Sequence, residues 1–179
     1  MTPGTRTRPP GAAEPGPGQE SAWDYPRPPR LEPARERLRV VVDGVALADT
    51  THGLRVVETS HPPAYYFPEA DVRLDLLVAN TRTSVCEFKG RATYVDLVLP
   101  AGIGSSCLAR RVANVGWRFA APASGFEAIR GLLAFYASRV DEAWVDEELV
   151  VPQAGDFYGG WITSRVIGPF KGGAGTFGW

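Results

Sequence analysis

Lysine is nearly absent from this chain. Lys89 and Lys171 are the only two, against 17 arginines. An arginine bias of this kind says little about function, but it marks the two lysines as positions to follow. Cysteine and histidine are just as scarce, at two each: Cys86, Cys107, His52 and His61. A structural zinc site is normally built from four soft ligands in paired knuckles. Neither cysteine here belongs to a C-x-x-C, and the histidines add no recognisable spacing, so no metal and no cofactor is expected. Net charge is −1, too small for a global field that would draw in nucleic acid or an anionic membrane. No run of about 18 apolar residues is present, so no membrane span is expected. The first twenty residues carry no hydrophobic core segment of a secretory signal. A reducing, cytoplasmic setting is the resulting expectation, and with it free cysteines.

What the chain does have is enough apolar residue, 44%, to fold as one globular domain. Residues 1–21 are rich in proline, glycine and small polar side chains and read as disordered. Residues 22–37 begin AWDYPRPPRLEP, an arm with Trp23 and Tyr25 as anchors on the domain. Residues 38–151 form the globular part. Its first signal is a hairpin at Asp43-Gly44 between β-branched runs, because a tight primed turn needs positive φ at both central residues. The run 54–59 then reads as the third strand of a meander. After it, PEADVRLDLLV suggests a short helical turn, TRTS a loop, residues 92–99 a strand, and VANVGWRF another. The segment SGFEAIRGLLAFYASRV predicts the one helix. Ser124 and Glu127 form an S-x-x-E capping box, and Phe126, Ile129, Leu133 and Tyr136 make one apolar face. EAWVDEELVV reads as a hairpin turning near Asp146-Glu147. Residues 152–179 are rich in glycine and aromatics, which suggests an extension wrapped on the domain, with Trp161, Phe170 and Trp179 as anchors.

The densest stretch is SHPPAYYFPEAD, residues 60–71. Its prolines hold the backbone extended and bias His61 the same way. A histidine near neutral pKa is the usual acid–base group, oriented by a carboxylate, and Glu58, Asp71 and Asp75 are the nearby carboxylates. A histidine beside two prolines also suits a purely structural role. On extended backbone Tyr65 and Tyr66 point to opposite faces, so one ring enters the core and the other is free to line a pocket. In C-E-F-K-G, Lys89 reaches Cys86 if the segment turns, and a nearby cation is what lowers a thiol pKa toward nucleophilicity. A small buried cysteine before a turn is the plainer reading. GPFKGGAGT is not a phosphate loop: its lysine precedes the glycines, and no helix can follow.

Three blocks carry a family resemblance: V-V-V-D-G-V-x-L-A-D-T, E-T-S-H-P-P-x-Y-Y-F-P and C-E-x-K-G-x-A-x-Y, followed by A-F-Y. Over about residues 35–150 the chain resembles a bacterial and fungal family, domain of unknown function 427. The resemblance implies a mainly β fold with one α-helix, in the β-tent or Mss4-like arrangement of crossed antiparallel sheets. Zinc-bearing relatives of that architecture carry paired C-x-x-C knuckles; this chain lacks them, so no zinc is implied. The nucleotidyltransferase-like label given to the family implies a paired-Asp magnesium motif, and none is present. Members read A-W-x-Y-P where this chain has G-W-R-F-A-A-P, so Phe119 stands at a tyrosine position.

Three functional expectations follow. The first is a small-ligand-binding module, its pocket walled by the 60–67 stretch, the Cys86–Lys89 turn, Tyr94 and Trp117, with Glu58, Ser60, Tyr65 and Tyr66 contributing. The second is an enzyme with His61 as acid–base group, Lys89 holding an anionic substrate and Cys86 as nucleophile. The third is an interaction module whose aromatic arms, 22–34 and 157–179, cover a partner or form a homodimer.

Overall fold

The computed structural model describes residues 8–10, 12–155, 157–176 and 178–179. Its strands, in chain order, are β1 Glu20–Ser21, β2 Arg30–Pro33, β3 Leu38–Val42, β4 Val45–Thr50 and β5 Leu54–Val57. The central part adds β6 Ala64–Tyr66, β7 Leu77–Cys86, β8 Gly90–Leu99, β9 Arg110–Arg118 and β10 Leu133–Phe135. The rest are β11 Glu142–Val145, β12 Glu148–Leu149, β13 Val151–Pro152, β14 Trp161–Ile162 and β15 Val166–Ile167. They build two four-stranded sheets, β10-β9-β8-β7 and β12-β11-β3-β4, and a three-stranded sheet, β2-β5-β6. The pair β1-β15 joins the two ends of the chain to each other, and β13-β14 pairs two segments of the tail.

The hairpins follow from local chemistry. Asp43 and Gly44 take φ of 50° and 75° between β3 and β4, the positive values that a primed turn demands. Asp146, at φ 53°, turns β11 into β12. Between β7 and β8 only Glu87, Phe88 and Lys89 intervene, and Gly90 takes φ +93° where the ladder restarts against Cys86.

The predicted helix does not form. Among the described residues the helical segments are four 3-10 turns of three residues each, at 69–71, 74–76, 127–129 and 137–139. Glu127 does reach back to the Gly125 N–H at 2.9 Å. Gly131 then takes φ +78°, which stops the helix, and Leu133–Phe135 pair with β9. The apolar residues spaced three and four apart are buried all the same, on two different sides. Phe126, Ile129 and Tyr136 enter one apolar cluster and Leu133 another. Three smaller expectations are also corrected. The third meander strand, β5, leaves β4 and pairs with β2 and β6. TRTS belongs to the long strand β7 rather than to a loop. Disorder was expected through residue 21, but Glu20–Ser21 pair with β15, where the tail offers unpaired backbone. Residues 1–7 and 11 of that stretch lie outside the described residues.

Two apolar clusters share the same strands. In β8, Ala92 and Tyr94 face one cluster while Val95, Leu97 and Leu99 face the other. In β10, Ala134 opposes Leu133 and Phe135 in the same way. Around β6, Tyr66 opposes Tyr65 and Phe67. Period-two alternation with both faces covered produces this pattern. The larger cluster holds Phe67, Phe135 and Trp161, all fully buried, each contributing on the order of 2 kcal/mol from burial. Trp161 also donates its indole N–H to the Phe135 carbonyl at 3.0 Å. Residues of the tail thus belong to the core itself, and Trp23 and Tyr25 of the arm are buried as well. Among the described residues no helix is long and apolar enough to cross a membrane.

Candidate functional site

The smaller cluster, built from β5, β6, β8, β9 and β10, does not close completely. A cavity of about 390 Å³ remains at its edge. Strands β5 and β6 supply one wall, the β7–β8 hairpin a second, and Trp117 and Tyr136 the floor. The fourth wall is Phe157–Gly160, from the tail. Gly159 makes that wall possible: a Cβ there would lie 2.2 Å from the Trp117 ring. Tyr136 donates its hydroxyl to the Phe157 carbonyl at 3.3 Å and ties wall to floor.

His61, Lys89, Cys86, Glu58, Tyr66, Tyr94 and Trp117 all line this one cavity. Two residues named with them do not. Tyr65 points the other way, into the large cluster, where its ring packs on Trp161 at 5.4 Å. Alternation along β6 decides this, because only one of two successive tyrosines can face the cavity. Ser60 sits buried at φ 68° in the turn that follows β5. Its backbone is engaged by the arm and the tail, with its N–H donating to Ala22 and its carbonyl accepting from Lys171.

His61 is fixed by its own turn. Its Nδ1 lies 3.0 Å from the Thr59 carbonyl, which can only accept, so Nδ1 carries the hydrogen. Nε2 is therefore the free acceptor of a neutral ring. Burial pushes the imidazole pKa below its ordinary value, although Glu58 and the Thr59 carbonyl pull the other way. Nε2 is buried and has no hydrogen-bond partner among the described residues. The Tyr158 ring packs edge-on against the imidazole, with centroids 4.7 Å apart. The Tyr66 hydroxyl is likewise buried, with the Trp117 indole beside it but no well-formed hydrogen bond among the described residues, and burial pushes its pKa up.

Lys89 is the third unusual group. Burial lowers its pKa, but the neighbouring Tyr66, Cys86 and Glu58 outweigh that and hold it above the ordinary lysine value. It is an ammonium at neutral pH. Among the described residues no carboxylate lies within ion-pair distance of it. Glu58, the nearby candidate, is taken by Arg27 at 2.7 Å, and Arg27 also holds Glu87 at 2.5 Å. Arg27 stacks over Phe88 at 5.1 Å and so braces the hairpin tip. Tyr94 is satisfied, sharing a 2.8 Å hydrogen bond with Ser84.

Arg27, Tyr136, Gln153, Tyr158 and Lys171 also line the cavity, and none of them stood out from the sequence as a site residue. Lys171 donates to the Trp179 carbonyl at 2.5 Å and lies 5.9 Å from the Tyr158 ring centre. Gln153 receives the Gly160 N–H at 3.1 Å and donates to the Lys171 carbonyl at 2.7 Å. The scarcity of lysine and the Gly159-Gly160 pair were the only signals that pointed to the tail.

The family model for a domain of unknown function, DUF427, matches residues 30–146. The chain belongs to the DUF427 family. Of the cavity's walls, β5, β6, the β7–β8 hairpin, Trp117 and Tyr136 fall inside the matched segment. Arg27 and the closing segment Phe157–Gly160, with Gln153 and Lys171, lie outside it. This DUF427 chain thus encloses its cavity with residues that the family match does not span. A search of curated proteins finds no match to the chain.

Proposed function

We propose that the cavity bounded by His61, Tyr66, Lys89 and Trp117 binds a small molecule. One observation carries this reading: among the described residues, a lysine without a carboxylate partner shares a cavity with two residues whose buried polar atoms make no well-formed hydrogen bond. Native proteins pair nearly all such atoms, and each exception calls for an explanation. About 390 Å³ falls within the range of small-molecule sites, and an apolar aromatic lining with few polar groups is their usual character. The test is a thermal-shift screen across nucleotides, sugars and thiols, because a ligand that binds only the native state raises the unfolding midpoint. A hit should disappear in Lys89→Met. A folded protein whose midpoint no compound moves would sink the proposal.

A catalytic role for the same residues is the second reading, and the His61 tautomer favours it. Neutral imidazole with Nδ1 anchored leaves Nε2 as a base, and the Cys86 thiol stands against the Lys89 ammonium. It predicts that iodoacetamide labels Cys86 faster in the native protein than in Lys89→Met; equal rates would remove Cys86 as a nucleophile. The aromatic arms favour an interaction role less, since Trp23, Tyr25 and Trp161 are buried on their own domain. As for architecture, the several small antiparallel sheets support the β-tent, Mss4-like arrangement, which superposition on a zinc-bearing member would test.

A further inference from the structure

The unpartnered groups also specify what kind of molecule fits. His61 Nε2 can only accept a hydrogen bond while the ring is neutral. Lys89 can only donate. Tyr66, a neutral phenol, can donate to an anion. A single ligand group that satisfies all three needs a proton donor adjacent to an anionic acceptor. Charge points the same way. The cavity's lining carries three cations, Arg27, Lys89 and Lys171, against two carboxylates, Glu58 and Glu87. Arg27 holds both carboxylates, and Lys171 is bound to the main-chain oxygen of Trp179. Among the described residues Lys89 is the one lining cation that neither a carboxylate nor a main-chain oxygen answers, and it is where the polar atoms gather. Trp117, Tyr136, Phe119 and Ala92 give much of the remaining lining an apolar, aromatic character.

We propose that the site takes a small monoanion bearing a hydroxyl beside its carboxylate and a flat apolar body. The carboxylate meets Lys89 and the Tyr66 hydroxyl, the ligand hydroxyl donates to His61 Nε2, and the apolar part lies on Trp117. Both acceptor and phenol are shielded from bulk solvent, and the Tyr158 ring against His61 yields as the ligand enters. The inference rests on the binding role proposed above and narrows it to one ligand class.

The experiment uses the full chain and three matched probes in calorimetry: mandelate, phenylacetate and mandelamide. Phenylacetate lacks the hydroxyl and mandelamide lacks the charge. Mandelate should bind best, with each analogue weaker by about tenfold or more, as expected when a buried polar group is left unpaired. His61→Asn keeps a donor for the Thr59 carbonyl and removes Nε2. It should bring mandelate down to the level of phenylacetate and leave phenylacetate unchanged, which isolates the hydroxyl–Nε2 pair as a double-mutant cycle does. Should that variant fail to fold, Tyr66→Phe provides the check by weakening both anions relative to mandelamide. Equal affinity for mandelate and phenylacetate in the wild type overturns the hydroxyl assignment. If mandelamide binds as well as mandelate, and Lys89→Met changes nothing, the anion is overturned. If all three fail while a compound of the broader screen binds, the ligand class is wrong and the binding role survives. If nothing in either set binds, both fall.

Discussion

Two cavities flank the small sheet β2-β5-β6, one on each face. Along β5, Val56 lines the first and Arg55 the second; along β6, Tyr66 lines the first and Tyr65 the second. They are similar in size, about 390 and 470 Å³. The second is the more richly charged, with Glu20, Glu32, Glu36, Arg35, Arg55 and Arg165 around it. Yet five of its six charges answer one another, and only the Arg35 guanidinium has no ion pair among the described residues. Arg55 bridges Glu20 at 3.0 Å and Glu32 at 2.9 Å, and Arg165 bridges Glu36 at 3.3 Å and Asp146 at 2.8 Å. The first cavity has fewer charges, but it alone of the two is lined by buried polar atoms without a well-formed hydrogen bond among the described residues, those of His61 and Tyr66. The difference teaches that unmet hydrogen-bonding capacity, not the density of charge, distinguishes a candidate site from a structural network.

The comparison can be broken by deleting one cation from each side. Arg55→Met should be the most damaging change, costing about 2–3 kcal/mol in urea unfolding, because it strands partly buried carboxylates. Lys89→Met should change stability by less than about 1 kcal/mol in either direction, since a charge without a carboxylate partner gives up little when replaced by an apolar side chain of similar shape. Equal losses at the two positions would erase the distinction drawn above. Between these extremes lies Gly159→Ala. Its Cβ would sit 2.2 Å from the Trp117 ring, so the tail must shift or the ring must turn, at a cost of roughly 1–3 kcal/mol. A Gly159→Ala protein as stable as wild type would mean that Phe157–Gly160 is not a fixed wall. Tyr66→Phe runs the other way. Removing a buried hydroxyl that has no partner should raise stability by about 1 kcal/mol. A loss instead would show that the hydroxyl has a native partner.

The sequence made the first cavity partly legible, and the reason is local. His61, Tyr66, Cys86 and Lys89 lie in segments whose prolines, alternation and turn residues announce their geometry. Alternation also foretold that Tyr65 and Tyr66 would part company, though it could not say which ring would face which side. That depended on β5 abandoning β4 for β2, a tertiary choice with no local mark. The helix failed for a similar reason. Phe126, Ile129, Leu133 and Tyr136 fit a helical face, but Gly131 and the open edge of β9 decided otherwise. Lys171 and Tyr158 reach the cavity from more than eighty residues beyond His61. Contacts at such separation leave no pattern in the chain, and only the Gly159-Gly160 pair hinted at a close approach.

The smallest effect, and the one most specific to the first cavity, is a pH dependence. His61 has an ordinary pKa of 6.5 in the unfolded chain and a lower one in the fold, chiefly through burial. Above 6.5 neither state binds the proton, and His61 contributes nothing to the slope. As pH falls through that value the unfolded chain takes up a proton that the folded protein refuses, so stability declines until the folded pKa is reached. Asp49, Asp75 and Asp141, paired with Arg37, Arg73 and Arg110, have pKa values below the ordinary 3.8, chiefly through those hydrogen bonds. Their contribution is present above 3.8 and lost only as pH drops through their lowered values, so the two phases separate. His52, the other histidine, is exposed. In urea unfolding between pH 7 and 5, about the range in which an unperturbed histidine titrates, His61→Asn should flatten the decline and leave the acid limb below pH 4 intact. Parallel wild-type and His61→Asn curves through that range would mean that His61 accepts a proton as readily folded as unfolded. Its Nε2 would then not be the buried neutral acceptor on which the difference between the two cavities rests.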